Sequence, residues 1–184
     1  MTVANLEAER KRAAARGEAY AQPYNAIPTW DAGAPVPHLL SSGRNITLVY
    51  YGRANDPTWD GTWAHVRDLS DLAPVVVLDF LGCAIFKMGS PNDEVLHGHP
   101  LFGKGLDFYA PQIVENSPWL RELETINRVH ARFDADHWRS MHHFILPFHD
   151  ETFECIARGT QARVQRASLA ETVRVAMDGI LREM

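Results

Sequence analysis

Histidine and glutamate side chains stand among apolar residues at positions 142–158. An imidazole titrates near neutral pH, and a desolvated glutamate can do so too, so these side chains can exchange protons with a substrate or bind a divalent metal ion. Glu154 lies between Phe153 and Cys155, which favours its desolvation. We expect Glu154 and His143 to be catalytic, provided that the fold places them on one surface.

The apolar pattern of this segment predicts a β-hairpin. Asp150 and Glu151 mark its tip, in a loop of either two or four residues. The predicted register pairs Phe148 with Phe153, Leu146 with Cys155 and Phe144 with Ala157. Because side chains alternate between the two faces of a strand, one face is then apolar and the other is mixed. The mixed face carries His143, Ile145, Pro147, His149, Thr152, Glu154, Ile156 and Arg158.

A second histidine group, His97-Gly98-His99, lies in a segment rich in glycine and proline. Histidines two residues apart can turn both imidazoles toward one metal ion when the chain is extended. With His149 or Glu154 as a third ligand, they would form a site with an open coordination position. We therefore expect His97, His99 and His149 to bind a divalent metal ion. The alternative is that they are loop histidines with ordinary hydrogen-bond partners.

Asp79 is a third candidate because it interrupts a long apolar run. A carboxylate buried in such a run is costly unless it is paired or protonated, and such placements cluster at functional sites. Asp79 is therefore expected to be catalytic, unless a bulge turns it to solvent.

The rest of the sequence predicts the elements that would position these residues. Strands are predicted at 45–53, in the hairpin, and at 75–88, either as one bulged strand or as two strands meeting at Gly82. Helices are predicted at 3–21, around Trp63, Val66, Leu69 and Leu72, from Pro118 after the N-cap Ser117, at 134–141, and from Leu169 after a capping box formed by Ser168 and Glu171. Residues 22–43 predict an extended connector, and residues 89–116 a long loop.

This mixture of elements predicts an α+β fold, with an antiparallel, strongly bent sheet or a partly open barrel and flanking helices. We expect an N-terminal helix and proline-rich extension over residues 1–43, followed by a single α+β domain over 44–184. The length of 184 residues is sufficient for a proper core.

Composition and charge narrow the classes of function. The net charge of -5 offers no basic surplus for a phosphate backbone, so nucleic acid is not an expected partner. No apolar run is long enough to span a membrane, and the N-terminus does not resemble a signal peptide, so we expect a cytoplasmic protein. The two cysteines, Cys83 and Cys155, stand in apolar runs and are expected to be buried and free.

Two hypotheses of function follow. In the first, the protein is a small-molecule enzyme with a histidine and carboxylate site that performs metal-assisted or general acid–base chemistry. In the second, it is a non-catalytic module that binds a protein or a ligand. An exposed strand edge could also pair with a second copy of the chain, which would form a homodimer.

Overall fold

A computed structural model describes residues 2–31, 33–43, 45–54 and 67–182. Along these ranges the chain forms α1 (Val3–Ala15), β1 (Tyr20–Pro23), β2 (His38–Ser42), β3 (Asn45–Tyr51), β4 (Ala73–Leu81), β5 (Ile85–Gly89), a 3₁₀ helix (Asp93–Gly98), β6 (Gln112–Glu115), α2 (Pro118–Asn127), α3 (Ala135–Arg139), β7 (His142–Pro147), β8 (Thr152–Ala157), β9 (Gly159–Ala167) and α4 (Leu169–Arg182).

The chain divides into two compact units, and each is built on an antiparallel sheet. The first unit comprises Met1–Tyr24 and Ala84–Gly159, and the second comprises Asn25–Cys83 and Thr160–Met184. The expected division into an extension over 1–43 and one domain over 44–184 stays a prediction.

The sheet of the first unit has the strand order β1-β6-β7-β8-β5. Every residue of β8 is buried, and in β7 only His142 is exposed. Both faces of this hairpin are therefore covered, although the sequence predicted a core on one face only. Polar side chains on a doubly covered strand must find partners inside the protein, because burial removes their contacts with water.

The hairpin itself is confirmed, but its predicted register is wrong by two residues. The observed pairs are His142 with Ala157, Phe144 with Cys155, Leu146 with Phe153 and Pro147 with Thr152. Residues 148–151 therefore form the connection. The sequence lacks a two-residue turn such as Asn-Gly, which would have fixed the register. A shift of two residues leaves each side chain on its predicted face, so His143 and Glu154 still share one.

The sheet of the second unit has the strand order β2-β3-β4-β9. All of β3 except Asn45 is buried, as its β-branched and aromatic residues predict. α4 contributes Leu169 to a buried cluster with Val49 and Val75. This packing explains why α4 carries apolar residues at helical spacing.

The predicted N-caps of α2 and α4 are confirmed. Ser117 Oγ accepts a hydrogen bond from the Leu120 N–H at 3.1 Å, and Pro118 occupies the first helical position. Ser168 Oγ accepts one from the Glu171 N–H at 3.2 Å. Both side chains satisfy a backbone donor that a helix leaves without a partner at its first turn.

Several predicted boundaries differ from the structure. The helix predicted at 3–21 ends at Ala15, and residues 20–23 form β1. β2 lies within the predicted connector. Of the two alternatives for residues 75–88, the structure confirms two strands on either side of Gly82, and these strands belong to different sheets. β9 was not predicted, because most of its residues are exposed and give no apolar alternation. The helical spacing predicted from Trp63 and Val66 begins outside the described residues.

The α+β class, with antiparallel sheets and flanking helices, is confirmed. The strong bend or partly open barrel expected from the sequence is not confirmed by the two sheets described here. None of the described helices combines the length and the apolar character needed to cross a bilayer.

Candidate functional site

Glu154 is a buried carboxylate near the middle of β8, with a residue exposure of 4%. Its Oε2 lies 2.8 Å from His143 Nε2, and its Oε1 lies 2.8 Å from Lys87 Nζ. His99 Nε2 is 3.6 Å from the same Oε1. Both carboxylate oxygens therefore face nitrogen atoms, which compensates for the loss of water around a buried charge.

Strand pairing explains how Glu154 meets two of these partners. Glu154 stands opposite Lys87 on β5 and opposite Ile145 on β7. His143 lies two residues before Ile145, and so on the same face and diagonal to Glu154, a distance that a long side chain can cross. His99 comes from the turn after the 3₁₀ helix.

These contacts keep Glu154 ionised at neutral pH. Burial alone would raise its pKa, but the contacts with His143, His99 and Lys87 outweigh burial and hold the pKa well below the ordinary value of 4.5. A carboxylate has no proton to donate, so the Nε2 atom of His143 must carry the hydrogen of their hydrogen bond.

The other nitrogen of His143 meets a serine. His143 Nδ1 lies 2.9 Å from Ser117 Oγ, at the start of α2, and both residues are buried. Because Nε2 carries the hydrogen when the ring is neutral, Nδ1 presents a lone pair to the Ser117 hydroxyl. Ser117, His143 and Glu154 thus form a continuous hydrogen-bonded series, named here the relay.

The tautomer of His99 is fixed by the backbone. Its Nδ1 accepts a hydrogen bond from the Leu101 N–H at 3.2 Å, so the ring hydrogen lies on Nε2, which is the atom nearest Glu154. His99 therefore presents a polar N–H to the Glu154 carboxylate.

Trp119 and Lys87 enclose the relay. The Trp119 ring meets His143 edge-on at a centroid distance of 5.2 Å, and Lys87 Nζ lies 4.9 Å from the centroid of the same tryptophan. A cation over an indole face is attracted to its negative quadrupole. Trp119 therefore orients both the imidazole and the lysine.

A groove of about 170 Å³ opens beside the relay. Its lining includes Ser117 and His143, together with Leu120, Arg121 and Met141. Arg121 NH1 donates to the Asn116 carbonyl at 2.8 Å, which places its positive charge at the groove. The groove thus has an imidazole-bearing residue and a hydroxyl-bearing residue in its lining.

The remaining predicted residues have other partners. Asp79, on β4 of the second unit, accepts hydrogen bonds from Thr47 Oγ1 at 2.6 Å and Arg163 Nη1 at 3.1 Å, so its charge has partners in the same sheet. Its catalytic role stays a prediction. His97 is exposed and packs edge-on against Phe102.

His149 belongs to an acidic cluster near the hairpin tip. Its Nδ1 lies 2.9 Å from Asp150 Oδ1, and its Nε2 lies 3.6 Å from Asp93 Oδ2. The Tyr109 hydroxyl donates to the same Asp93 oxygen. Among the described residues, no group of three or more His, Cys, Asp or Glu side chains is arranged to hold a metal ion. The predicted set of His97, His99 and His149 therefore gains no support.

Sequence reasoning brought His143, Glu154 and His99 forward but missed Ser117, Lys87 and Trp119 as members of the site. Ser117 was recognised only as a helix cap, and the cap in Asn116-Ser117-Pro118 gives no sign of the imidazole beside it. Lys87 enters through the pairing of β5 with β8, which is a contact between distant segments. No local pattern encodes such a pairing.

No protein-family model matches the chain, and comparison with curated proteins and with solved structures gave no match either.

Proposed function

We propose that the protein is a small-molecule enzyme in which His143 transfers protons to and from a compound bound in the groove. One observation carries the proposal: His143 lines the groove, binds an ionised, buried carboxylate through one nitrogen and faces the hydroxyl of Ser117 with the other. An imidazole oriented in this way is suited to general acid–base catalysis near neutral pH.

Each neighbour of His143 has a distinct part in this chemistry. Glu154 fixes the tautomer and stabilises the imidazolium that forms when Nδ1 takes a proton. Lys87 and His99 help to keep Glu154 ionised, so that the carboxylate remains an acceptor for the Nε2 hydrogen of His143. Without them, the buried carboxylate could take up the proton itself.

The size and lining of the groove limit the ligand. A volume of about 170 Å³ is below the roughly 300–1,000 Å³ of drug-sized sites. The groove therefore suits a compound of a few heavy atoms, or one end of a longer molecule. Arg121 favours a ligand that carries a carbonyl oxygen or a negative charge.

A ligand screen followed at the histidine rings tests the proposal. We expect compounds that bind the groove to shift the ring resonances of His143 in NMR spectra, and His143→Ala to lower turnover of any substrate so found by about 100-fold or more. His130→Ala is the matched control, because His130 is exposed and does not line the groove. Ligands that leave His143 unperturbed, or turnover that survives His143→Ala, would contradict the proposal.

The non-catalytic alternative is separated by the same screen. A groove ligand that binds tightly, shifts His143 and undergoes no reaction would identify a binding module. The expected cytoplasmic location and homodimer are further proposals, tested by fractionation and by light scattering.

Metal assistance is a separate proposal, supported only by the nearness of His99 to Glu154. Elemental analysis of protein purified without a histidine tag tests it. We expect a stoichiometric divalent metal if the proposal is right.

A further inference from the structure

Ser117 is placed as a hydroxyl that a base can activate. Its Oγ is 2.9 Å from His143 Nδ1, and His143 Nε2 is 2.8 Å from Glu154. Only 5% of Ser117 is exposed, yet the residue lines the groove. A bound compound would therefore meet a serine connected to a base and a carboxylate, which are the parts of an activated nucleophile.

Either nitrogen of an imidazole can face the serine while the other faces the carboxylate. In the Ser-His-Asp triad the carboxylate binds Nδ1 and the serine faces Nε2, whereas here the two nitrogens are exchanged. The chemistry needs a lone pair toward the hydroxyl and an N–H toward the carboxylate, and both conditions are met. The order of the nitrogens does not change the proton balance.

Helix capping does not account for the contact with His143. Ser168 caps α4 through one backbone N–H, and Ser117 caps α2 through the same type of bond. Ser117 differs because its oxygen also meets a buried imidazole that is itself bonded to a carboxylate. The additional bond satisfies the buried imidazole, and it also places the Ser117 hydroxyl where a base can take its proton.

The start of α2 also suits negative charge. Backbone N–H groups at the first turn of a helix leave a partial positive charge there, and α2 has ten residues. Arg121, on the same helix, adds a full positive charge at the groove. These groups would stabilise the oxyanion that forms when a nucleophile adds to a carbonyl.

We propose that Ser117 is the nucleophile of an acyl-transfer reaction on a small ester, thioester or amide. This inference rests on the proposed function of His143 and adds the reaction class. The Ser117 oxygen bonds to the carbonyl carbon while its proton passes to His143 Nδ1. The leaving alcohol, thiol or amine then departs with that proton, which gives an acyl-serine. Water repeats the sequence and releases a carboxylic acid and free Ser117.

A fluorophosphonate probe tests the nucleophile without knowledge of the substrate. Attack by the serine oxygen on phosphorus displaces fluoride and leaves a stable phosphonyl-serine. We expect one equivalent of label on Ser117, located by peptide mass spectrometry. Because His143 must take the proton of the Ser117 hydroxyl, the labelling rate should depend on the imidazole. His143→Ala should lower this rate by about 100-fold or more.

Two variants distinguish the proposed role of Ser117 as nucleophile from its role as helix cap. Ser117→Gly removes the hydroxyl but keeps a residue that caps helices almost as well, so the variant should fold and take no label. Ser168→Ala removes a comparable cap on α4 and should be labelled at the wild-type rate. Circular dichroism and thermal unfolding establish that each variant is folded.

Three results would overturn the inference. They are the absence of label on folded wild-type protein while a reference serine hydrolase is labelled, equal labelling of Ser117 in His143→Ala, and label on another residue that persists in Ser117→Gly. If a groove ligand is still turned over by Ser117→Gly but not by His143→Ala, Ser117 is not the nucleophile and the proposed function of His143 stands. If no ligand perturbs His143, the proposed function itself fails.

Discussion

At the scale of single residues, Glu154 has the most strongly altered environment of the relay. It is buried, and nitrogen atoms of Lys87, His99 and His143 lie within 3.6 Å of its carboxylate oxygens. Removing one charge of a buried ion pair leaves the other charge without a partner. This loss costs more free energy of unfolding than the intact pair contributes. Stability should therefore depend on this residue and on its protonation.

Glu154→Gln should lower the free energy of unfolding at pH 7 by about 2 kcal/mol, the range of hydrogen bonds to charged groups. The folded-state pKa of Glu154 is depressed, so its contribution is present above the ordinary value of 4.5 and is lost as pH falls from there toward the folded pKa. Urea unfolding of both proteins should show that the difference shrinks below about pH 4.5.

Glu122→Gln is the control for this experiment, because Glu122 is exposed on α2. It should leave stability close to that of the wild type at both pH values. A difference between wild type and Glu154→Gln that is unchanged from pH 7 to pH 3 would contradict the prediction.

His149 should titrate above the ordinary histidine value of 6.5. The hydrogen bond to Asp150 is the main cause of the raised pKa, and the charge of Asp93 adds to it against partial burial. A raised histidine pKa stabilises the fold below pH 6.5, and this contribution disappears as pH rises through the folded pKa. Proton NMR of the histidine rings measures the shift, and Asp150→Asn should reverse most of it. An unchanged titration in that variant would contradict the assigned cause.

The sequence predicts the part of the site that depends on local strand geometry, but not the part that depends on long-range contacts. The two-residue period of a strand was sufficient to place His143 and Glu154 on one face, even with a wrong register. It was not sufficient to find Ser117 or Lys87, since their contacts depend on which distant segments pair. The catalytic role expected for Asp79 stays a prediction, and its contact with Arg163, on a strand that the sequence did not predict, also depends on long-range pairing.

At the scale of elements, α1 is attached to its unit through Arg10. The guanidinium donates to the Ala21 carbonyl at 2.9 Å and to the Gly105 carbonyl at 3.1 Å. Leu6, the one large apolar anchor evident in the sequence of this helix, is buried to 2% exposure. The Gly105 N–H also donates to Glu9 at 3.1 Å, so buried Leu6 and Ala13 and the side chains of Arg10 and Glu9 hold the helix, although its sequence has little apolar character.

Gly105→Ala should disrupt this attachment. An added Cβ would lie 2.4 Å from Arg10 Cγ and 2.7 Å from the Ala21 carbonyl oxygen, and the residue has a φ of +86°. We expect a loss of about 2–5 kcal/mol in the free energy of unfolding, from left-handed strain and overpacking together.

Gly103→Ala isolates the backbone part of this loss. Gly103 has a φ of +72°, and its added Cβ would have open space around it. It should therefore cost only the strain, about 1–2 kcal/mol. Equal losses in the two variants, measured by chemical denaturation, would show that the packing of Arg10 against Gly105 contributes nothing.

The two helix caps also differ in their expected contributions. Ser168→Ala should cost about 1 kcal/mol, as is usual for an N-cap serine. Ser117→Ala should cost more, roughly 2–3 kcal/mol, because it also leaves the buried Nδ1 of His143 without its partner. Denaturant unfolding of the two variants makes the comparison, and equal losses would mean that the contact with His143 adds no stability.

At the scale of the whole molecule, the chain crosses between its units three times. The sequence predicted most helices and strands, because caps, apolar periods and turn residues are local signals. It did not predict that the apolar run at 75–88 changes sheets between β4 and β5, since Gly82 is compatible with a bulge or with a break. The assignment of segments to units depends on long-range packing that a single sequence does not reveal.

Hydrogen exchange should follow the strand order of the first unit. We expect the slowest backbone amides in β7 and β8, because these strands are central and buried, and faster exchange in β1 and β5 at the sheet edges. Peptide-level mass spectrometry resolves these segments. Protection in β5 equal to that in β8 would indicate that another chain covers this edge.

The strand order also has a consequence for biosynthesis. A ribosome delivers β1, then β5 and β6, long before the central strands β7 and β8 that join them. β1 and β6 can pair with each other once β6 has emerged, but β5 has no partner in its sheet until β8, which ends at Ala157, has left the exit tunnel. The nascent chain must therefore carry β5 unpaired until β8 has been made, and its yield in cells should depend on chaperones that bind such segments.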